Sequence, residues 1–598
     1  MLQPAPYLHS WTKCWQVFLL LLAFLSSSYA LAHPKEANHT ASSKPTSRPT
    51  NQPTSRPSNK RRHPPCPEKT RKACSYWKGC QANSGLDCQM LGNMHLNGTG
   101  VPKNHAKAFP YFDKACTLGD KIGCNNAGYI LHQGVHVKHD VKRATEYYAK
   151  ACRHKQSTGC WNLGYIFHFG AGKVKPNYKW AMVYYGMACA QKDATACNNQ
   201  AVLYQRGLGV KADGQKAAIL YEGACLLKYA IACDNLASLH HKGKLLAINL
   251  KKALLYYRMG CSSGSGVGCN NAGSFYHHGK AGKQDHKKAA ELYQKACTKK
   301  VPMGCYNLGF MFEQGLGVQR DDKKARHFYQ LGCRGKIGDS CYRLGEVYRK
   351  SGKGTSYLIR AYQYYELGCR LGSSTGCNDQ GIALFNGIGI AKNNRKALQQ
   401  VKKSCSMNNS MGCYNLGYFY TQGIGVSKSR VMALYFYDKS CKQGSGLGCN
   451  ELGYAYQKGL GTHKSPKLAR RYYQEACELG SSRGCSNLGY CYNVGLGGPK
   501  DLKKALKWYH YSCKRNEVTA CNNLGSMYDK GEGVKKDFKK AYTLFERACQ
   551  MRLGLGCRNL GILYGKGSGV RKSCLVANLL FREGCKLKDT NSCKQKCK

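Results

Sequence analysis

Residues 297–333 read CTKKVPMGCYNLGFMFEQGLGVQRDDKKARHFYQLGC. Two cysteines eight residues apart, Cys297 and Cys305, precede an apolar segment and a Gly315-Leu316-Gly317-Val318 turn. A second apolar segment then ends on the first cysteine of the next pair, Cys333. The same text begins again there. Followed towards the N-terminus, the template pairs Cys80 with Cys88, Cys116 with Cys124, Cys152 with Cys160, Cys189 with Cys197, Cys225 with Cys233, and Cys261 with Cys269. Followed the other way, it pairs Cys333 with Cys341, Cys369 with Cys377, Cys405 with Cys413, Cys441 with Cys449, Cys477 with Cys485, Cys513 with Cys521, Cys549 with Cys557, and Cys585 with Cys593. That makes 15 pairs at a period of 36 residues, with one step of 37 between Cys152 and Cys189. A repeat of this size is the signature of a solenoid, in which each unit buries its apolar face against its neighbours. The 598 residues therefore resolve into one array from Cys80 to Cys593 rather than several globular domains.

Let the first cysteine of a unit be position 0. Positions 8, 11, 12 and 15 (Cys305, Leu308, Gly309, Phe312) are small or apolar at offsets of three and four, which places one stripe on an α-helix, helix A. Glycine recurs at position 12, as in Gly128, Gly164, Gly417 and Gly489. Inside a helix it costs about 1 kcal/mol, so its recurrence predicts a close crossing that admits no side chain. Gly315 and Gly317 end helix A with positive-φ residues, and Asp321 and Asp322 supply a cap for helix B. Helix B carries an alanine, Ala325 here, at the same place in every unit. The expected fold is an all-α solenoid of about 14 αα-hairpins.

The cysteine that closes one helix B lies eight residues before the cysteine that opens the next helix A. A bridge between them staples consecutive hairpins and closes a loop of about nine residues, worth about 2.6 kcal/mol in the chain-entropy model. Thirty of the 36 cysteines sit in such pairs, a usage that fits an oxidising compartment. Cys66 and Cys74 repeat the spacing and read as part of an N-terminal cap. Cys574 and Cys597 are candidates for a C-terminal capping bridge, and Cys491 is left as a buried thiol.

Residues 1–32 have the parts of a secretory signal: basic Lys13, an apolar core from Val17 to Leu25, and a small-x-small site at Ala30-Leu31-Ala32, with cleavage expected before His33. The nine-residue core is short of the roughly 20 residues of a spanning helix. Residues 33–79 are expected to form a disordered Pro/Ser/Thr-rich tether and the cap, with Lys60-Arg61-Arg62 as a candidate processing site. Residues 594–598 are a C-terminal tail. Asn38, Asn97 and Asn408 open glycosylation sequons. The expected location is secreted or periplasmic.

Lys and Arg number 92 against 32 acids, a formal charge of +60. Such an excess draws a protein to polyanions in a salt-dependent way. Part of it recurs at the start of helix B (Lys107, Arg143, Lys216, Lys252, Lys288, Lys324, Arg360, Lys396, Lys504, Lys540), where positive charge opposes the helix dipole. This basic ridge reads either as a solvated face or as a dock for an anionic glycan or envelope surface. No nucleic-acid module accompanies it, so no specific nucleic acid is expected.

Positions 9, 13 and 16 form a second stripe on helix A. It contains Tyr129, Trp161, Tyr165, Tyr306, Tyr414, Tyr418, Tyr454 and Tyr490. Inner helices of αα solenoids line a concave groove, so these residues are candidates to bind a protein or peptide; the competing account is that they pack between helices. Asparagine at position 10 (Asn126, Asn162, Asn307, Asn415 and others) either holds a bound peptide backbone or satisfies the adjoining turn. Histidine at position 16 (His132, His168, His241, His277) forms a column that reads as a metal site, as a patch that charges below about pH 6.5, or as plain surface. No cofactor is expected, and the chain is expected to be a monomer.

The start G-C-x-N-L-G-x-x-Y-x-x-G-x-G-V followed by D-x-x-K-A-x-x-Y-Y-x-x-A-C resembles the Sel-one-like repeat, a relative of the tetratricopeptide repeat. The cysteine pairing resembles its cysteine-rich branch, typified by the Helicobacter cysteine-rich proteins. The resemblance implies a right-handed αα superhelix, export and protein–protein interaction, often host-directed. It also implies an alternative, β-lactam binding or weak β-lactamase activity. The one Ser-x-x-Lys outside the repeats, Ser75 to Lys78, is the candidate nucleophile and base for it, but no Ser-Asp-Asn or Lys-Thr-Gly follows. The leading expectation is a non-catalytic scaffold.

Overall fold

The computed structural model describes residues 66–68, 70–352 and 354–597. The expected signal sequence, the stretch up to Pro65, Asn38 and Lys60-Arg61-Arg62 lie outside the described residues.

The described chain is a series of helices with no strand; one isolated bridge, Ala171 to Val174, occupies the single 37-residue step. Fourteen A and B hairpins run from Gly85–Asn97 with His105–Thr117 to Gly554–Lys566 with Cys574–Lys586. In the unit at Cys297, helix A is Pro302–Gln314 and helix B is Asp322–Arg334.

Local chemistry sets these boundaries. In 13 of the 14 B helices an Asn, Asp or Ser side chain caps the first turn, worth about 1 kcal/mol each. Of the two expected cap residues, Asp321 does the capping, and Asp322 is already the first helical residue. Gly315 ends helix A in the left-handed region at φ 68°. Gly317, at φ 67°, has a further reason to lack a side chain: a Cβ there would run into the backbone of His286, the start of the preceding B helix.

The close crossing expected at position 12 is present. A Cβ on Gly309 would lie 2.8 Å from the ring of Tyr329, which covers the glycine from helix B. Ala325 is fully buried at the same contact layer. Position 15, expected in the apolar stripe, is only half-buried at Phe312, while position 14, Met311, is fully buried. The buried arc is rotated because helix A packs against its own helix B, the preceding helix B and the neighbouring A helices. Phe312 instead stacks on Phe328 at 5.6 Å, an arrangement repeated at Tyr348–Tyr364, Tyr420–Phe436 and Tyr456–Tyr472.

All 15 repeat pairs, from Cys80 with Cys88 to Cys585 with Cys593, are disulfides, with Cα–Cα distances of 4.4–4.7 Å. Cys66 with Cys74 and Cys574 with Cys597 are also joined. Cys491 is a buried thiol in the core slot of position 14. At the N-terminal end, helix Arg71–Gln81 lays Ala73 and Trp77 over Leu91 and Met94. At the other end, Asn578 holds the backbone N–H and C=O of Cys597 at 2.8 and 3.2 Å. Consecutive A helices touch one another more closely than consecutive B helices, so the A helices are the inner layer.

Candidate binding face

The second stripe of helix A divides by depth. At position 13, Tyr129, Tyr418, Tyr454 and Tyr490 keep 38–44% of their surface exposed. At position 9, Tyr306 and Tyr414 lean on the helix-B rings of Tyr329 and Tyr437 at 6.0 and 5.9 Å, which leaves them half-buried. Trp161 and Tyr165 lie 5.5 Å apart, and Tyr165 is 4.8 Å from the exposed Phe169, so three rings run along one helix.

The position-10 asparagines make a ladder between helices rather than serving the adjoining turn. Asn162 donates to Asn125 of the preceding hairpin at 2.9 Å, and Asn235, Asn307, Asn415, Asn487 and Asn559 do the same to their neighbours at 2.8–2.9 Å. Position 9 is asparagine only in alternate hairpins over most of the array, so the ladder has a two-hairpin period. Asp234 stands at position 9 in one gap of that ladder. It accepts from the Ser265 hydroxyl, and burial pushes its carboxyl up to about 7 against the lowering effect of that bond.

Two of the position-16 histidines stand beside the hydroxyls of the buried tyrosines that cover the glycines. His132 Nδ1 is 3.5 Å from Tyr148 and His168 Nδ1 is 3.4 Å from Tyr185. In other hairpins the same hydroxyl bonds Gln205, Glu313 or Gln457 at 2.6–2.7 Å. The sequence signal for this is the pairing of His, Gln or Glu at position 16 with Tyr sixteen residues on. Burial lowers all four histidines, and His168, His241 and His277 fall to about 4. Among the described residues, the only trio of His, Cys, Asp and Glu with ligand atoms within 4.8 Å of one another is Cys441, Cys449 and Glu475, whose sulfurs are joined to each other.

Charges cluster where two hairpins meet on this face. Glu313 of one hairpin lies 3.8 Å from Arg343 and 3.7 Å from Lys350 of the next, and within that next unit Arg349 makes two 2.8 Å bonds to Glu346. The same unit lacks the Gly-x-Gly turn; its helices are Gly338–Ser351 and Thr355–Arg370, and Gly354 provides no side-chain cap.

With this geometry in hand, the family is decided by the match of the Sel1 repeat model to fourteen segments between residues 88 and 589. The chain belongs to the Sel1 repeat family. This Sel1 array is similar, at 25% identity and a TM-score of 0.51, to c5321, a protective antigen of uropathogenic Escherichia coli strains with an SLR fold; the match covers 76% of this chain and 91% of that one. A Sel1 repeat protein from Oxalobacter formigenes matches at 23% identity over 47% of this chain and 96% of its own, with a TM-score of 0.32. No curated protein matches. The 17 disulfides among the described residues fit the cysteine-rich branch and an oxidising environment outside the cytoplasm. No helix of the described Sel1 array is long and apolar enough to cross a membrane.

The basic ridge of the Sel1 array has a structural explanation the sequence did not supply. Lys288, Lys324, Lys504 and Lys540 each reach the capping aspartate three residues earlier at 3.1–3.7 Å and lie over a helix-A ring at 5.3–5.6 Å. They keep 59–63% of their side-chain surface exposed, so solvent screens each pair and it adds little to stability. Ser75 and Lys78 are exposed on the cap helix, without the water-excluded cavity that acyl transfer uses. Asn97 and Asn408 are exposed.

Proposed function

We propose that the protein is an exported, non-catalytic scaffold that holds an extended segment of a partner protein along its inner, A-helix face. Sel1 repeats are protein-binding scaffolds, and the observation that carries the reading is the row of exposed tyrosines at one position of successive hairpins, Tyr418, Tyr454 and Tyr490. Tyrosine offers a large contact area with a polar tip at small entropic cost. The amides beside the row give hydrogen-bonding groups at a constant level. The likeness to a protective antigen supports the exported half of the reading. An anionic glycan or envelope surface is the second reading, supported by the net charge of +60 and the exposure of the ridge lysines.

The test is capture from extracellular or envelope fractions with oxidised full-length protein, followed by the triple variant Tyr418→Ser, Tyr454→Ser, Tyr490→Ser. Loss of the captured protein at unchanged thermal stability is expected. Capture that survives the triple variant but disappears at moderate salt points to the ridge instead.

A further inference from the structure

The turn that joins Gly266–His278 to His286–Thr298 brings three imidazoles together. His277 and His278 end the A helix, and His286 begins the B helix. The ring centroids of His277 and His278 are 4.5 Å apart, and those of His277 and His286 are 5.2 Å apart. The Nδ1 atoms of His277 and His286 are both buried and have no hydrogen-bond partner. A buried imidazole nitrogen without a partner costs free energy unless something accepts its lone pair or its proton. Unlike His132 and His168, His277 faces no tyrosine hydroxyl: Tyr293, the ring over Gly273, hydrogen-bonds the Ser274 side chain instead.

We propose that this turn binds one divalent late transition-metal ion of the copper–zinc class through His277 and His286, with His278 as the third ligand. Imidazole is the preferred donor for these ions, and three histidines with an open fourth position are a sufficient set. As placed, the three rings do not bring their ligand atoms within 4.8 Å of one another, and binding turns the exposed His278 ring toward the pair. The surroundings are cationic, which weakens the binding of a divalent ion. Of the lysines nearby, Lys288 is balanced by Asp285 at 3.1 Å and Lys280 lies over the Phe275 ring at 5.6 Å, while Lys283 and Lys287 point to solvent. With every cysteine except Cys491 oxidised among the described residues, thiolates do not compete for the ion.

The experiment is calorimetric titration of the untagged, oxidised full chain with Zn²⁺ and with Cu²⁺. One ion per chain is expected, weakened at least tenfold by the double variant His277→Gln, His286→Gln and retained by His132→Gln, His168→Gln. Should the double variant fail to fold, the exposed substitution His278→Gln takes its place, with weakened binding at unchanged melting temperature expected. The Cu²⁺ spectrum should carry nitrogen hyperfine structure from at least two imidazoles. Absence of binding at metal concentrations of about 100 µM, full affinity in the double variant or the His278 variant, or an oxygen-only Cu²⁺ spectrum overturns the site.

Discussion

Two kinds of buried titratable residue on the inner layer respond to acid in opposite ways. The folded chain raises Asp234 from 3.8 to about 7, so it binds a proton that the unfolded chain has released. That contribution is complete below about pH 4 and is lost as pH rises towards 7. Asp234→Asn should therefore raise the melting temperature by an amount that grows from pH 4 to pH 7 and is constant above. His168 and His241 are held at about 4, below the ordinary 6.5, so their contribution is complete above pH 6.5 and is lost as pH falls to 4. His168→Gln keeps an acceptor for Tyr185, as Gln205 does for Tyr221. It should lose less melting temperature than the parent between those limits in a pH series of thermal scans. At this scale the sequence was only half legible. It displayed a histidine column, but the partners of His132 and His168 lie sixteen and seventeen residues further on, in another helix, and only the fold brings each pair together.

Element by element, the order of helices, turns and caps followed from a single 36-residue text, because capping, glycine turns and the alanine of helix B are decided within a few residues. The rotation of helix A about its axis did not follow, because it answers to three packing partners at once. Glycine substitutions separate the two situations. Gly309→Ala gains about 1 kcal/mol of helix propensity but forces a methyl against the Tyr329 ring, and overpacking of about 1–3 kcal/mol should win, the more so because Tyr329 is tied to Glu313. Gly223→Ala sits on an exposed helix-B surface with nothing within 4 Å and should stabilise by up to about 1 kcal/mol. Denaturant unfolding of the two variants gives opposite shifts if the ring contact is what reserves position 12 for glycine.

For the whole molecule, stability is a sum over hairpins and their interfaces. Replacing Cys297 and Cys305 by alanine removes about 2.6 kcal/mol from one central interface. Calorimetry should then show the single transition broadened or divided, with the N-terminal and C-terminal hairpins melting apart. The inner face was legible as a stripe, yet its exposed part narrowed to position 13, and the lysine ridge proved to be tethered to caps and rings. Sixteen of the crosslinks among the described residues join residues only eight apart, and each of those within the array is complete once the first turn of the following helix A exists. Oxidation can thus keep pace with the emerging polypeptide, unit after unit from the N-terminal end, and the vast number of wrong pairings open to so many thiols never has to be searched. Among the described cysteines only Cys574 must wait for a more distant partner, 23 residues on, so that bond forms after those of its neighbours.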